Sequence, residues 1–522
     1  MPPLWLLSSA LAAGLLASAG AQAEMAEEAL RLYGEHCASC HGAARLGAMG
    51  PALIPENLGR LKREDAVAVI AHGRAATQMP GFGGQLVAAD IDALVELIYT
   101  PLPELPVWGE AEIEASREVL VDPARLAQVP RHEADPLNLF VVVEAGDHHV
   151  TVLDGDRFSP ITRFPSRFAL HGGPKFSPDG RFVYFASRDG WISKYDLWGL
   201  ELIAEVRAGI NTRNLAISHD GQVLAVANYL PHSLVLLDAG DLTPLEVVPA
   251  VDARRRTSSR VSAVYQAAPR ESFVVALKDI PEMWEVFYGE DAPQVTGLTH
   301  SYEQGMVEAV AKEERFPIRR IELTQPLDDF FFGPDYRHVV GSARDGDKAV
   351  VVHLDVRREI AELPLPGLPH LGSGISWQQN GRRVIATPHL KEAAVSIIDM
   401  RTWRVIERIE TLGPGFFMRS HENSPYAWVD VFFGPHKDAV HVIDKRTFEI
   451  VDTLRPASGK TAAHVEFTRD GRFALLSIWE MDGALVVYDA QTLEEVRRIP
   501  MVKPSGKYNV WNKIHGSEGT SH

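Results

Sequence analysis

The segment Phe176-Ser177-Pro178-Asp179-Gly180-Arg181-Phe182 places an Asp-Gly pair between two apolar runs, which is the sequence of a tight hairpin turn. Near-copies occur at residues 217–223 and 467–473, and a weaker copy occurs at 379–382. Such a turn joins neighbouring strands of one small antiparallel sheet. Its recurrence predicts that most of the chain repeats a single all-β unit.

A second repeated feature, an apolar strand that ends in aspartate, sets the length of this unit. Its copies are Val152-Leu153-Asp154, Lys194-Tyr195-Asp196, Leu236-Leu237-Asp238, His353-Leu354-Asp355, Ile397-Ile398-Asp399, Val442-Ile443-Asp444 and Val487-Tyr488-Asp489. Successive aspartates lie 42, 42, 117, 44, 45 and 45 residues apart, and a period of about 40 to 45 residues is typical of a four-stranded propeller blade. The long gap has room for one further blade plus an insertion near residues 297–315, of which 303–312 looks helical. The sequence therefore predicts an all-β eight-bladed propeller over residues 136–522, in which the repeated aspartates and glycines are structural.

Composition narrows the range of partners. The 522 residues are 46% hydrophobic, which excludes a disordered chain. They carry 52 Lys and Arg against 69 Asp and Glu, a net charge of −17, and this charge repels a phosphate backbone. We therefore expect no nucleic-acid partner.

The first 23 residues form an apolar stretch of small and aliphatic side chains that ends in Ala21-Gln22-Ala23, an A-x-A cleavage signature. This pattern predicts a secretory signal peptide over residues 1–23 and a mature protein in the periplasm. An uncleaved membrane anchor is the alternative, because a basic segment before the apolar run is missing.

Both cysteines of the chain lie in Cys37-Ala38-Ser39-Cys40-His41, the C-x-x-C-H signature of covalent heme c attachment. Two thiols on one helical turn reach both vinyl groups, and His41 is left to bind the iron. A zinc or thioredoxin-type site is the alternative; zinc needs two further ligands, and a thioredoxin-type site needs a preceding strand. The signature therefore indicates a c-type cytochrome.

The second axial ligand is expected in a loop some way downstream. Met79, followed by Pro80, fits best, because a thioether in an extended loop is a common sixth ligand of heme c. His72 and Met49 are the competitors. A helical pattern at residues 88–99 completes a small all-α class I-type cytochrome c domain over 24–103, and a proline-rich segment opens a linker over 104–135.

A monoheme cytochrome joined to an eight-bladed propeller resembles the heme c/heme d1 protein family, which comprises cytochrome cd1 nitrite reductase and dihydro-heme d1 dehydrogenase. The stretches that carry the resemblance are Pro106-Val107-Trp108-Gly109, Asp135-Pro136-Leu137-Asn138-Leu139-Phe140, Ile192-Ser193-Lys194-Tyr195-Asp196-Leu197-Trp198 and Pro504-Ser505-Gly506-Lys507-Tyr508-Asn509-Val510-Trp511-Asn512. The resemblance covers nearly the whole mature chain. It implies that heme d1 or dihydro-heme d1, a macrocycle with several carboxylates, binds non-covalently on the propeller axis.

The resemblance also implies site residues. His171 matches the proximal iron ligand, and Arg188 and Arg213 match groups that hold carboxylates. His370, His464, Tyr508 and His389 are candidates for the catalytic base and for distal ligation of the iron.

Within the family, residues near the axis separate the two activities. The reductase uses two distal histidines as proton donors; Asp328 stands at the first of these positions, and His389 stands at the second. This pattern favours the dehydrogenase, an oxidoreductase that converts a propionate of dihydro-heme d1 to the acrylate of heme d1 and passes electrons through heme c to a periplasmic acceptor. The implied recipient of heme d1 is the cd1 nitrite reductase. The alternatives are the nitrite reductase itself and a non-enzymatic heme d1 carrier.

We predict that replacing Cys37 and Cys40 together by alanine abolishes covalent heme and all multiple-electron chemistry, because the sequence encodes no other redox group. The propeller should still fold, since its repeats close their own core. Absorption spectra and circular dichroism of the purified variant test both statements. A variant whose propeller cannot be obtained folded would contradict the two-domain interpretation.

Overall fold

The computed structural model describes residues 25–47, 50–59, 61–73, 79–104, 106–290, 292, 296–300, 307–311, 314–342 and 347–520. The predicted signal peptide lies outside these ranges. The chain divides into two compact units, with the boundary between Val107 and Trp108. No helix in the described ranges is long and apolar enough to cross a membrane.

The first unit is helical, as predicted for a cytochrome c domain. Its helices span residues 25–36, Ala38–His41, Pro55–Leu58, Arg63–His72 and Ala88–Tyr99. The last helix buries Ile91, Leu94, Val95 and Ile98 on one face. This face packs in one core with the buried face of the first helix, so the helix predicted at 88–99 is confirmed.

Within its described residues the second unit contains eight antiparallel blade sheets, seven of four strands and one of five, which we call blades 1 to 8. The strands are given from the inner to the outer edge of each blade. Blade 1 consists of Pro504–Asn509, Leu139–Glu144, His149–Asp154 and Ser159–Pro165, and blade 2 of Lys175–Phe176, Phe182–Ala186, Trp191–Asp196 and Glu201–Arg207. Blade 3 consists of Asn211–Ile217, Val223–Leu230, Ser233–Asp238 and Pro244–Pro249, and blade 4 of Val261–Ala267, Ser272–Leu277, Glu282–Phe287 and Ile318–Glu322. Blade 5 consists of Asp329–Phe332, His338–Ser342, Lys348–His353 and Arg358–Pro364, and blade 6 of Ile375–Gln379, Arg382–Pro388, Ala394–Asp399 and Arg404–Glu410. Blade 7 consists of Met418–Ser420, Tyr426–Asp430, Val440–Asp444 and Ile450–Leu454, and blade 8 of Ala462–Phe467, Phe473–Ile478, Gly483–Asp489 and Glu495–Met501. The predicted eight-bladed propeller is confirmed.

The repeated aspartates cap turns within the blades. Asp196, Asp399 and Asp489, for example, each accept a hydrogen bond from the backbone N–H two residues further along the chain. Asp355 differs, because its carboxylate pairs with Arg270. The structural assignment of these aspartates is therefore correct.

The insertion in blade 4 is a hairpin rather than a helix. Strand Thr296–His300 pairs antiparallel with Val307–Ala311, between the third and fourth strands of the blade. Residues 307–311, predicted to be helical, form a strand instead, and the remainder of that predicted segment, 303–306 and 312, lies outside the described residues. Alternate residues of this segment also satisfy a strand pattern, and pairing with the partner strand decides between the two.

Strand pairing between the two ends of the propeller closes the ring. The C-terminal strand Pro504–Asn509 pairs with Leu139–Glu144, with Tyr508 opposite Val141 and Lys507 opposite Val142. Helix Val510–His515 follows at once. The last strand of the chain is thus the inner strand of blade 1.

The segment predicted as a linker is attached to the propeller from Trp108 onward. The Trp108 indole donates a hydrogen bond of 2.8 Å to the Arg207 carbonyl of blade 2. Ile113, in helix Glu110–Ser116, is fully buried in the core between blades 2 and 3. The two-residue strand Glu118–Val119 adds to the outer edge of blade 2, and the short 3-10 helix Pro123–Arg125 follows.

Candidate active site and heme centres

The C-x-x-C-H motif has the geometry that heme c attachment needs. Cys37 precedes the helical turn Ala38–His41, both cysteines are free and half-buried, and the His41 ring is almost fully buried. The His41 Nδ1–H donates to the Pro51 carbonyl at 2.8 Å, and no hydrogen bond from a described residue reaches Nε2. Burial lowers the pKa of His41, which keeps the imidazole neutral. These residues fit an iron ligand oriented by its backbone partner.

Met79 lies at the edge of the cytochrome core, half-buried against it. The backbone beside it is tightly packed, because a Cβ at Gly73, whose φ is +75°, would lie 2.7 Å from the Met79 carbonyl oxygen. The competing His72 is exposed at the end of its helix, and Met49 lies outside the described residues. Met79 therefore stays the predicted sixth ligand.

On the propeller, His171 contacts Arg188 and Arg213, the two arginines predicted to hold carboxylates. Its Nδ1–H donates to the Arg213 carbonyl at 2.7 Å, and its Nε2 is 2.7 Å from Nη2 of Arg188 and 3.2 Å from Nη1 of Arg213. Gly172 and Gly173 have positive φ and allow the loop to approach blades 3 and 1; a Cβ at Gly173 would lie 3.1 Å from the Tyr508 ring. The structure thus brings together His171, both arginines and Tyr508.

His464 adjoins this group through Tyr508. The two ring centroids are 5.2 Å apart, and the Phe417 ring is 4.8 Å away on another side. His464 is 1% exposed, and neither ring nitrogen has a hydrogen-bond partner among the described residues. Burial, with repulsion from Lys507 and Arg419, holds the pKa of His464 well below its usual value, so this imidazole is neutral.

A backbone carbonyl orients the His370 ring, as one orients the His171 ring. Its Nδ1–H donates to the Phe416 carbonyl at 2.6 Å, which leaves the Nε2 lone pair available. Burial lowers the pKa of His370 as well, against an opposing contribution from Asp329. Its ring centroid is 6.3 Å from that of Phe417, so the Phe416-Phe417 pair lies between the two histidines.

His389 is not part of this constellation. It is fully buried, and its two ring nitrogens are bound to the Pro366 carbonyl at 2.7 Å and to the Ser396 hydroxyl at 2.8 Å. Burial lowers its pKa to about 4. Both nitrogens of His389 are therefore held by residues around its own strand, whereas the Nε2 of His171 faces the side chains of Arg188 and Arg213.

Several groups near the axis were missed by the sequence analysis. They are Lys175, Tyr265, Asp329, Arg419, Glu466 and Lys513. The Tyr265 hydroxyl donates to Asp329 at 2.9 Å, and Lys175 lies 6.0 Å from the Tyr265 ring centroid. All but Lys513 lie on the first strand of a blade, so charged residues on these inner strands were the available signal.

The electrostatics of this region favour an anionic ligand. Burial, together with repulsion from Arg419, lowers the pKa of Lys175 to about 8 and that of Lys513 well below its usual value. Burial and neighbouring cations both make the protonated forms of these lysines less favourable, and added negative charge would offset that cost. A macrocycle with several carboxylates supplies such charge, so these residues fit a d1-type heme.

Comparison with known proteins finds a family match for each of the two units. Residues 24–98 match the family of cytochrome c oxidase, cbb3-type, subunit III, and residues 134–513 match the cytochrome D1 heme domain family. Nitrite reductase of Stutzerimonas stutzeri is 25% identical over 94% of each chain.

Two further relatives are much closer in sequence. Dihydro-heme d1 dehydrogenase of Pseudomonas aeruginosa is 57% identical over 98% of this chain and 99% of its own. A solved structure described as dihydro-heme d1 dehydrogenase NirN in complex with DHE superposes with a TM-score of 0.86 at 56% identity, covering 93% of this chain and 100% of that one. The chain therefore belongs to the cytochrome D1 heme domain family and, within it, to the dihydro-heme d1 dehydrogenases.

Proposed function

We propose that this oxidoreductase converts the propionate side chain of dihydro-heme d1 to the acrylate of heme d1, in the periplasm. In this reaction –CH2–CH2– becomes –CH=CH–, two protons pass to bases of the site, and two electrons pass to an acceptor. The observation that carries the proposal is the buried, neutral His464, whose ring nitrogens have no partner among the described residues and whose ring contacts Tyr508. A neutral imidazole held in a polar site can accept a proton.

The remaining groups bind and orient the substrate. Arg188 and Arg213 can each hold a carboxylate through two parallel hydrogen bonds. Their side chains converge on His171, which we assign as the proximal iron ligand, and His370 is the distal candidate. Tyr508, whose pKa burial raises to about 12, stays protonated and can donate or relay a proton beside His464.

Electron transfer is assigned to the cytochrome unit. Heme c, bound at Cys37 and Cys40 with His41 and Met79 as ligands, would accept electrons singly and release them to a periplasmic acceptor. We propose the cd1 nitrite reductase as the recipient of the heme d1 product.

Two residues, Asp328 and His389, argue against nitrite reduction as the main activity. Asp328, at the position of one distal histidine of the reductase, forms an ion pair with Lys278. His389, at the position of the other, has both ring nitrogens bound, to the Pro366 carbonyl and to the Ser396 hydroxyl. Neither group is a free proton donor.

Anaerobic mixing of the heme c-loaded protein with dihydro-heme d1 tests the proposal directly. We expect the absorption spectrum of the macrocycle to change to that of heme d1 while heme c becomes reduced. A spectrum that stays that of dihydro-heme d1 in the presence of an oxidant contradicts the proposal, as does sustained production of nitric oxide from nitrite at a respiratory rate.

We predict that His171→Ala weakens binding of heme d1 and leaves the heme c spectrum unchanged, because the variant loses an iron ligand on the propeller only. Spectroscopic titration with heme d1 measures the effect. His219→Ala, at an exposed hairpin turn of blade 3, is the control. Equal affinity in the His171 and control variants would show that His171 does not bind the iron.

Removing the proton-transfer groups should affect rate more than affinity. We predict that His464→Ala binds dihydro-heme d1 but oxidises it about 10²- to 10⁴-fold more slowly, as expected for a lost general base. Tyr508→Phe should also slow oxidation, and both variants should keep the carboxylate contacts of Arg188 and Arg213. Single-turnover kinetics under anaerobic conditions separate the two effects. If His370, His464 and Tyr508 can all be replaced without slower turnover, the assignment fails.

A further inference from the structure

His464 occupies an irregular position in blade 8. In the pairing of its strand with the next one, Ala463 lies opposite Ser477 and Val465 opposite Leu476, so His464 is the extra residue of a β-bulge. Its φ is +53°, in the left-handed region that is unfavourable for a residue with a side chain. The bulge turns the imidazole toward Tyr508 but removes the His464 peptide groups from the strand ladder.

Two buried residues of opposite charge satisfy these peptide groups. The His464 N–H donates to Oδ2 of Asp430 at 3.2 Å. Lys507 Nζ donates to the His464 carbonyl, and also to the Ser477 hydroxyl at 2.7 Å. Asp430 and Lys507 are both 0% exposed, so each His464 peptide group is held by a group that solvent does not reach.

The other oxygen of Asp430 holds a second element of the site. Oδ1 accepts hydrogen bonds from the backbone N–H of Phe416 at 2.7 Å and of Phe417 at 3.0 Å. The Phe416 carbonyl in turn accepts from His370 Nδ1, and the Phe417 ring packs on His464. One carboxylate therefore fixes the backbone of one histidine and the backbone that orients the other.

We infer that Asp430 is a positioning residue for the dehydrogenation: it holds the backbone of His464, which would face the reacting side chain, and through Phe416 it orients His370, which would bind the iron; this inference rests on the proposed function. The chemistry of the carboxylate explains why this residue type is needed. Both of its oxygens accept hydrogen bonds, and the three donors come from two different blades. An amide of the same shape can serve Phe416 and Phe417 through its oxygen, but its NH2 group cannot accept from the His464 N–H.

This asymmetry makes Asp430→Asn an informative variant. We expect it to bind dihydro-heme d1 with unchanged affinity and to show the wild-type spectrum of the bound macrocycle, since the Phe416 side is preserved. Its turnover number should fall about 10²-fold, the scale of a misplaced reacting group. Full-length protein carrying heme c is used, and kcat, KM and the spectrum are measured anaerobically.

Asp399→Asn is the matched control. Asp399 is a nearly buried aspartate that accepts two backbone N–H bonds at an outer turn of blade 6, away from the axis groups. Both of these bonds go to one oxygen, which the amide retains, so Asp399→Asn should keep wild-type kcat. If the kcat of Asp430→Asn falls no further than that of Asp399→Asn, or if only its KM changes, Asp430 is merely structural.

A second variant separates this inference from the proposed function. Asp430→Ala removes both acceptors, so we expect an altered spectrum of bound heme d1, the product, in an assay that needs no turnover. A wild-type heme d1 spectrum in this variant would overturn the role assigned toward His370. An altered spectrum supports it even if the wild-type protein fails to oxidise dihydro-heme d1. If Asp430→Ala does not fold, the kcat of Asp430→Asn relative to that of Asp399→Asn decides.

Discussion

The pairing of Pro504–Asn509 with Leu139–Glu144 is the interaction on which the site depends. It joins the end of the propeller to its beginning and removes two free sheet edges. It also delivers Lys507 and Tyr508 to positions beside His464 of blade 8 and Gly173 of blade 2. These contacts join residues far apart in the sequence, so the candidate active site forms only when the ring closes.

The closed ring buries several cationic side chains close to one another. A lysine whose pKa is lowered by folding destabilises the folded state at neutral pH, because the unfolded chain binds its proton more tightly. For Lys175 this effect grows as the pH falls through the ordinary lysine pKa toward its lowered value of about 8. A ligand rich in carboxylates removes the repulsion among Lys175, Arg419 and Lys513. Binding of a d1-type macrocycle should therefore stabilise the propeller against unfolding.

The repeat pattern was sufficient to predict the blades, because each blade buries its strands against its neighbours and needs the same length of chain. The hairpin at 296–311 was not predictable from residues 303–312 alone, since strand pairing rather than local pattern decides its structure. His464 and His389 looked equivalent in the sequence. The β-bulge turns one toward the axis, whereas Ser396 and the Pro366 carbonyl bind the other within its blade. Such differences arise from contacts between strands, which spacing along the chain does not encode.

The lowered pKa values of the buried histidines bear on whether the site donates protons or removes them. A reductase that delivers protons to a bound ligand needs protonated donors, whereas a dehydrogenase needs groups that can take protons away. Burial and neighbouring cations lower the pKa of His370 and His464, so both imidazoles are neutral, and each keeps a lone pair, for proton transfer at His464 and for iron binding at His370. When the substrate carboxylates neutralise part of this charge, the pKa of His464 should rise toward the range in which a base accepts a proton most effectively. Under the proposed function, the cationic side chains would thus both bind the anionic substrate and keep His464 neutral until the substrate is bound.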